Sequence, residues 1–561
     1  MRNSDRCLRH LLGAGALAAV AACGGEPSES STQPIGGTLV IATPAEPEIL
    51  LPPLVQTLSA KQVVDQLFDF LADVPESMGT IGDAGFRPRL ASRWVWSTDS
   101  SSVEFTLVGN ARFHDGHPIS ANDVKFSYEL YKDPQVASMH AGSLPRMDSI
   151  VVTDSSTIRF HFADRGPERF FQLVYNLAVL PSHAFEGVDR TRLAESPLAT
   201  ALIGSGPFQL ARWERGTLLE VTASNGYHRG RPSLDRIVWR IGGDFSTAAR
   251  SVMAGESDFV EILRPEAMQQ LTPETDARAV EYPTYEHGYL LFNTRSPNNR
   301  KQPHPLFGDV RVRRALGMAI DRPAIVRNAY DSLASLSYGP FTRPLWSADT
   351  TVAQLPYSAA QARQLLDSAG WRDGNGDGVR ERNGRTLSFD LLVPSVSATR
   401  QRIAVVLQEQ LRAVGADVRI ESTEPASLGR RLGAGKFDAF IHVWQLDPSP
   451  ASIEQTWGSR DLERSANFGW YSNARVDSLI AAAKTEQDQT RAKAIYREIY
   501  ETIVSDAPAV FLWEPRNFVL VSKRFRFDKL RGDAWWSDLA TWYVPANERI
   551  PRDKAGPQPS G

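Results

Sequence analysis

Phe113-His114-Asp115-Gly116-His117-Pro118-Ile119-Ser120-Ala121-Asn122-Asp123-Val124 joins a tight turn to the start of a helix. Asp115-Gly116 supplies the turn, because glycine accepts the positive φ that other residues resist. Ser120 with Asp123 makes a capping-box-like helix start, and Val124, Tyr128 and Tyr131 form the apolar stripe behind it. Outward from this segment both periodicities recur. Val103-Glu104-Phe105-Thr106-Leu107 and Ile158-Arg159-Phe160-His161-Phe162 alternate as strands, and Thr38-Leu39-Val40-Ile41-Ala42 reads as a third. Asp309 can cap a helix carrying Val312, Ala315, Leu316, Ala319 and Ile320 on one face. Ser358 opens another, with Ala362, Leu365, Leu366 and Ala369 as its stripe and Gly370 as its stop. A third helix runs through Ile403, Val406, Leu407, Leu411 and Val414 to Gly415, and the strand Val418-Arg419-Ile420 follows. Helix, glycine and strand in that order predict α/β lobes.

The chain has 561 residues, a formal net charge of -3, 23% charged and 42% hydrophobic residues. Near-neutral charge without a basic cluster argues against nucleic acid as a partner. A single core would be unusually large at this length, so two or three lobes are expected. The first residues carry Arg2, Arg6 and Arg9, then an apolar stretch from Leu11 to Ala22, then Cys23 after Val20-Ala21-Ala22. That stretch is too short to span a bilayer and reads as an export signal. It resembles a bacterial lipoprotein signal, in which the cysteine receives lipid and the signal, 1–22, is cut before it. An ordinary secretory signal with a chance cysteine is the alternative. Residues 23–35 have the small, polar composition of a flexible tether, and 551–561 that of a frayed tail. Cys7 and Cys23 are the only cysteines, so no disulfide framework is expected in the mature part.

Several runs together resemble the bacterial extracellular solute-binding proteins of family 5, the peptide and nickel receptors of ABC importers. They are Phe86-Arg87-Pro88-Arg89-Leu90-Ala91-Ser92-Arg93-Trp94, the Phe113 to Val124 segment, Gly204-Ser205-Gly206-Pro207-Phe208, and Asn225-Gly226-Tyr227-His228-Arg229-Gly230-Arg231-Pro232 through Asp235. Phe292-Asn293-Thr294, Asp309 through Leu316 with Ala319-Ile320-Asp321-Arg322, and Tyr471-Ser472-Asn473 with Val476-Asp477 follow in family order. The turn and cap chemistry of these motifs marks them as scaffold. The resemblance implies an α/β, periplasmic-binding-protein-like fold (type II, cluster C), with two mixed-sheet lobes closing around a cleft and one inserted lobe. Lobe I would combine 36–58, 201–284 and 511–550; lobe II would be 59–200 and lobe III 285–510. Hinge closure around the ligand is implied with it.

Peptide receptors of this family pair the ligand's α-ammonium with an aspartate three residues after a tryptophan. Trp444-Gln445-Leu446-Asp447 keeps that spacing after a strand-like run, so the resemblance implies that Asp447 meets a cation, with Trp444 and Trp457 as walls. The chain continues with Pro448, where family members often place an aromatic residue, and Asp447 could equally begin a proline turn. Phe68 and Asp69 correspond loosely to a family helix near the ligand.

Asp373-Gly374-Asn375-Gly376-Asp377-Gly378 copies the first half of a calcium loop, but the twelfth position is Gly384, so a surface turn is favoured. His114 and His117 could be drawn as a metal pair, although their turn setting favours a structural role. No His-Glu-x-x-His pair, nucleophile elbow or phosphate-binding loop is present. The expected function is therefore a monomeric, non-enzymatic receptor without cofactor or metal. It would be held by lipid at Cys23 on the periplasmic or extracellular face and deliver short peptides to an ABC permease. A nickel chelate, an oligosaccharide or another solute is an alternative ligand, and a lipid-anchored secreted hydrolase is the alternative class. Gly24 stands where an aspartate would mark inner-membrane retention, which leaves an outer membrane open.

Overall fold

Strand Thr38–Thr43 is buried at every position, the pattern of a strand covered on both faces. In the computed structural model, which describes residues 35–554, it lies at the centre of a seven-stranded mixed sheet. Its neighbours Arg236–Ile241 and Phe259–Val260 run parallel to it, while Leu218–Ala223 and Phe208–Glu214 extend one side by antiparallel pairing. Asn517–Ser522 and Ala277–Tyr282 complete the other side. One sheet thus gathers chain from its beginning, middle and end.

A second sheet has six strands, ordered Ala334–Leu336, Ala509–Pro515, Glu286–Phe292, Ala439–Gln445, Ser388–Pro394 and Asp417–Thr423. Both its faces are covered, one by the helices Val310–Met318, Ala359–Ser368 and Ala398–Arg412, the other by Ala474–Ala483 and Gln489–Asp506. A third sheet, Ala91–Trp96, Ser102–Leu107, Thr157–Phe162 and Met147–Asp154, is antiparallel throughout. Its core is continuous with one face of the first sheet through Phe105, Phe170, Leu219 and Trp239.

The helix starts follow local chemistry. Ser120 and Asp123 form the reciprocal capping box of Ala121–Lys132. Asp309 caps Val310–Met318, and Ser358 caps Ala359–Ser368 ahead of Gly370 at φ +84°. Helix Ala398–Arg412 ends before Gly415 at φ +87°, and strand Asp417–Thr423 follows.

Gly204 and Gly206 are required by close approach. The amides of Ser205 and Gly206 donate to Leu67 O at 2.9 and 2.8 Å, at the end of helix Leu58–Leu67. A Cβ on Gly206 would overlap the backbone of Gln66 and Leu67. Gly206→Ala should cost about 1–3 kcal/mol of stability, as overpacking against rigid backbone does, and a urea melt would read this as a lowered midpoint.

The boundary expected at 510/511 moves. Ala509–Pro515 pairs with Glu286–Phe292 and Ala334–Leu336 in the second sheet, so the chain returns to the first sheet only at Asn517. It crosses between the two sheets twice, at 283–285 and at Arg516. The strands on either side pair antiparallel in both sheets, as Ala277–Tyr282 with Asn517–Ser522 and as Glu286–Phe292 with Ala509–Pro515. Arg516 grips Glu281 with both Nε (2.8 Å) and Nη2, tying the two crossings together.

Residues 551–554, expected as part of a frayed tail, instead form the short helix Pro551–Lys554. Asp553 is buried there and accepts Thr38 N at 2.8 Å and Arg524 Nη1 at 2.5 Å. Arg524 also donates to Asp258 through Nε at 3.1 Å and Nη2 at 3.0 Å, and to Thr38 O at 3.0 Å. A buried charge survives when it is paired and hydrogen-bonded. Residues 1–34, with Cys23 and its signal, and residues 555–561 lie outside the described residues. Among the described residues no helix is long and apolar enough to cross a membrane.

Candidate functional site

Strand Ala439–Gln445 alternates between two cores. Ala439 and Ile441 are buried on one face of the second sheet, and Phe440 is buried on the other with Trp444 packed against it. The strand ends where Leu446 N donates to Tyr285 O at 2.8 Å, which fixes it to the first crossing. Asp447-Pro448 then leads into Ser449, whose Oγ caps the short helix Pro450–Ser452. The Asp447 carboxylate is exposed to water, yet the protein around it raises its pKa above the usual carboxylate range. Exposure and desolvation coexist in a cleft: water reaches the oxygens while nearby protein displaces much of their hydration. Among the described residues no side chain forms an ion pair or hydrogen bond with this carboxylate.

Two residues further on, the opposing lobes meet. Ser449 Oγ, on the second-sheet side, donates to Glu168 Oε2, on the third-sheet side, and Thr80 Oγ1 donates to Glu168 Oε1. Thr80 in turn accepts Trp346 Nε1 from the second-sheet side at 2.9 Å. Burial pushes the Glu168 carboxyl up, against the lowering effect of the two hydroxyls. Ile81 packs into the same core as Tyr285, Phe341 and Leu345, and Gln487 Nε2 donates to Arg165 O at 2.7 Å. Asp447 therefore stands beside the seam between the lobes.

The floor near the crossings is polar and ordered. Arg531 pairs with Asp533 at 2.6 Å, and Tyr175 OH donates to the same carboxylate at 3.2 Å. Gly532 passes so close to Pro283 that a Cβ would lie 2.8 Å from its carbonyl oxygen. A pocket open to solvent lies between the lobes of the first and third sheets, lined by Phe70, Arg87, Arg89, Tyr175 and Arg531 among others. Carboxylates stand among the cations of this lining, Asp65 paired with Lys61 and Asp73 beside Arg89, so it carries no single sign of charge.

The two tryptophans expected as walls differ. Trp444 is half-buried beside His442, with ring centroids 5.7 Å apart. Trp457 is only 3% exposed and packs against Tyr289, Tyr471 and Phe511, so its ring belongs to the core, whereas Trp444 stays partly accessible. Beneath Trp444, burial holds His442 and His287 down to about 3. Both imidazoles are therefore neutral near neutral pH.

Asp69 is scaffold. Fully buried, it accepts Arg89 Nε at 2.7 Å and Tyr227 OH at 3.0 Å, and it pairs with His228 Nε2 at 3.0 Å. Burial alone would raise its pKa, but Arg89 and His228 hold it below the usual range. Phe68 is equally buried. In the Asp373 loop the carboxylates accept local amides, Gly376 N at 2.7 Å and Gly378 N at 3.0 Å on Asp373, as in a surface turn. His114 turns away from His117 to Gly206 O at 3.0 Å. Sequence reading missed Thr80, Glu168, Ser449, Tyr285, Arg531 and Asp533. The partners of Thr80, Glu168, Ser449 and Tyr285 are remote in the chain, Asp533 also meets the remote Tyr175, and no motif connects them.

Comparison with known proteins fits this geometry. The oligopeptide-binding protein AppA of Bacillus subtilis is 26% identical over 538 residues, covering 92% of this chain and 96% of AppA. The probable D,D-dipeptide-binding periplasmic protein DdpA of Escherichia coli is 25% identical, covering 87% of this chain and 90% of DdpA. The structure of AppA from Bacillus subtilis with a nonapeptide superposes with a TM-score of 0.71 at 25% identity, over 91% of this chain and all (100%) of AppA. The substrate-binding protein CtaP of Listeria monocytogenes shares the fold at a TM-score of 0.78 and 22% identity, covering 91% of this chain and 99% of CtaP. The middle region of the bacterial extracellular solute-binding proteins, family 5, matches residues 85–461. With that match spanning more than half its length, the chain belongs to the bacterial extracellular solute-binding proteins of family 5.

Proposed function

We propose that the protein is the extracytoplasmic substrate-binding receptor of an ABC importer. It captures short peptides in the cleft beside Asp447 and delivers them to a permease. The observation that carries this reading is the unpaired Asp447 carboxylate at the seam between lobes. A ligand ammonium placed there forms a charge-assisted hydrogen bond and relieves the desolvation of the carboxylate. Trp444 offers an apolar wall for the first side chain. Relatives named for oligopeptides and dipeptides support the ligand class.

The three lobes act as units: 36–58 with 201–284 and the segment after Arg516 as the first, 59–200 as the second, 285–516 as the third. Bending at the two crossings opens and closes the cleft. The receptor works as a monomer without a cofactor. Lipid at Cys23 keeps it on the membrane that holds the permease, where proximity raises its effective concentration.

Native mass spectrometry of the purified protein should show co-purifying peptides, and added peptide should bind saturably without being cleaved. Cleavage by rigorously purified protein, or exclusive recovery of a non-peptide solute, overturns the reading.

A further inference from the structure

The fold brings His183 to Asp115 and His117, which the sequence keeps far from it. His183 Nε2 lies 2.7 Å from Asp115 Oδ2, and His117 Nδ1 lies 3.0 Å from the same oxygen. The two imidazoles stack with centroids 4.0 Å apart and planes 29° from parallel. One ligand atom from each residue falls within 4.8 Å of the others. None of the three belongs to the cleft around Asp447.

We propose that Asp115, His117 and His183 form a binding site for a divalent transition-metal ion of the zinc type. Two imidazoles and one carboxylate are a donor set suited to zinc or nickel and poorly suited to calcium or magnesium, which take oxygen ligands. Each ligand is held from behind. Asp115 Oδ1 accepts the His117 backbone N–H at 3.1 Å, in a turn that Gly116 completes at φ +91°. His183 sits on the short helix Ser182–Phe185, whose first residue is pinned to Asp123 Oδ1 through Ser182 N (3.0 Å) and Oγ (2.7 Å). The edge of Phe113 packs against the His183 ring at 5.8 Å. The His117 side chain is 59% exposed and those of Asp115 and His183 are 26% and 30% exposed, which leaves the remaining coordination positions to solvent.

In the metal-free state Asp115 Oδ2 accepts both imidazoles. On binding, each imidazole turns a lone pair to the ion and carries its proton on the other nitrogen, so two hydrogen bonds are exchanged for three metal bonds. The ion would staple the Asp115-Gly116 turn to the turn at 182–185, two segments 68 residues apart.

The test uses tag-free protein and zinc ion alone. Calorimetry should give one zinc equivalent at this site, and excess zinc should raise the melting temperature. His117→Gln, an exposed change that leaves the fold intact, should weaken that binding ~10-fold or more, the scale already seen when only outer-shell partners are lost, and should remove the thermal shift. His183→Gln should do the same, with its fold checked by circular dichroism. Failure of the unaltered protein to bind zinc, or variants that bind zinc as tightly as the unaltered protein, means a hydrogen-bonded cluster only and overturns the proposal.

Discussion

Asp447→Asn is expected to weaken binding of a peptide with a free amino terminus by about 2–5 kcal/mol, the range for truncating one partner of a desolvated charge pair. The asparagine keeps the shape and one acceptor oxygen but loses the charge. Two controls separate this from a general loss of fit. An N-acetylated peptide, which has no ammonium, should bind both proteins alike. Affinity of the unaltered protein for the free peptide should also fall as the pH drops. The sign follows from linkage: the ligand cation favours ionised Asp447, so affinity is present above its raised pKa and lost as pH falls through it. Because burial raises that pKa, the loss begins at a higher pH than for an ordinary aspartate, and it should be absent in the variant. Isothermal titration across pH reads all three, and unchanged affinity in Asp447→Asn removes the residue from the site.

Arg524→Ala should lower the unfolding free energy by about 3–5 kcal/mol, the cost of breaking a buried ion network by removing one member. Arg524 lies between Asp258 and Asp553, and both carboxylates are almost wholly buried. Without the guanidinium, Asp553 loses its cationic partner, and Asp258 keeps only Arg552 at 2.5 Å. The same carboxylates hold the amides of Thr38 and Val40, at 2.8 and 2.9 Å. The damage should therefore spread to the central strand Thr38–Thr43. Chemical denaturation followed by tryptophan fluorescence measures it, and a loss below about 1 kcal/mol would show that water or Arg552 replaces the missing charge.

What was legible in the sequence was local. The capping box at Ser120 and Asp123, the caps Asp309 and Ser358, and the stops at Gly370 and Gly415 need only neighbours within a turn or two. Alternation in 103–107 and 158–162 locates strands for the same reason. The polar hubs escaped because each is assembled across the chain. Asp69 meets His228 from 159 residues away, and Ser449 meets Glu168 from 281. Trp457 shows the converse limit, since its type and spacing suit a wall or a core equally, and only packing against Tyr289 and Phe511 assigns it to the core. At 510/511 the boundary slipped because a strand that ends one lobe and a strand that begins the next are both apolar and separated by Arg516 alone.

The paired crossings at 283–285 and Arg516 have a kinematic consequence. A single covalent link would let one half of the molecule swivel about any axis. Two antiparallel strands passing side by side, with Arg516 clasping Glu281 between them, behave as a leaf spring that resists twist and shear and yields to bending across its width. Any motion between the halves would then be confined to one angular coordinate. A contact made at any point along the gap advances the same angle at every other point, so the far rim registers an occupant it never touches.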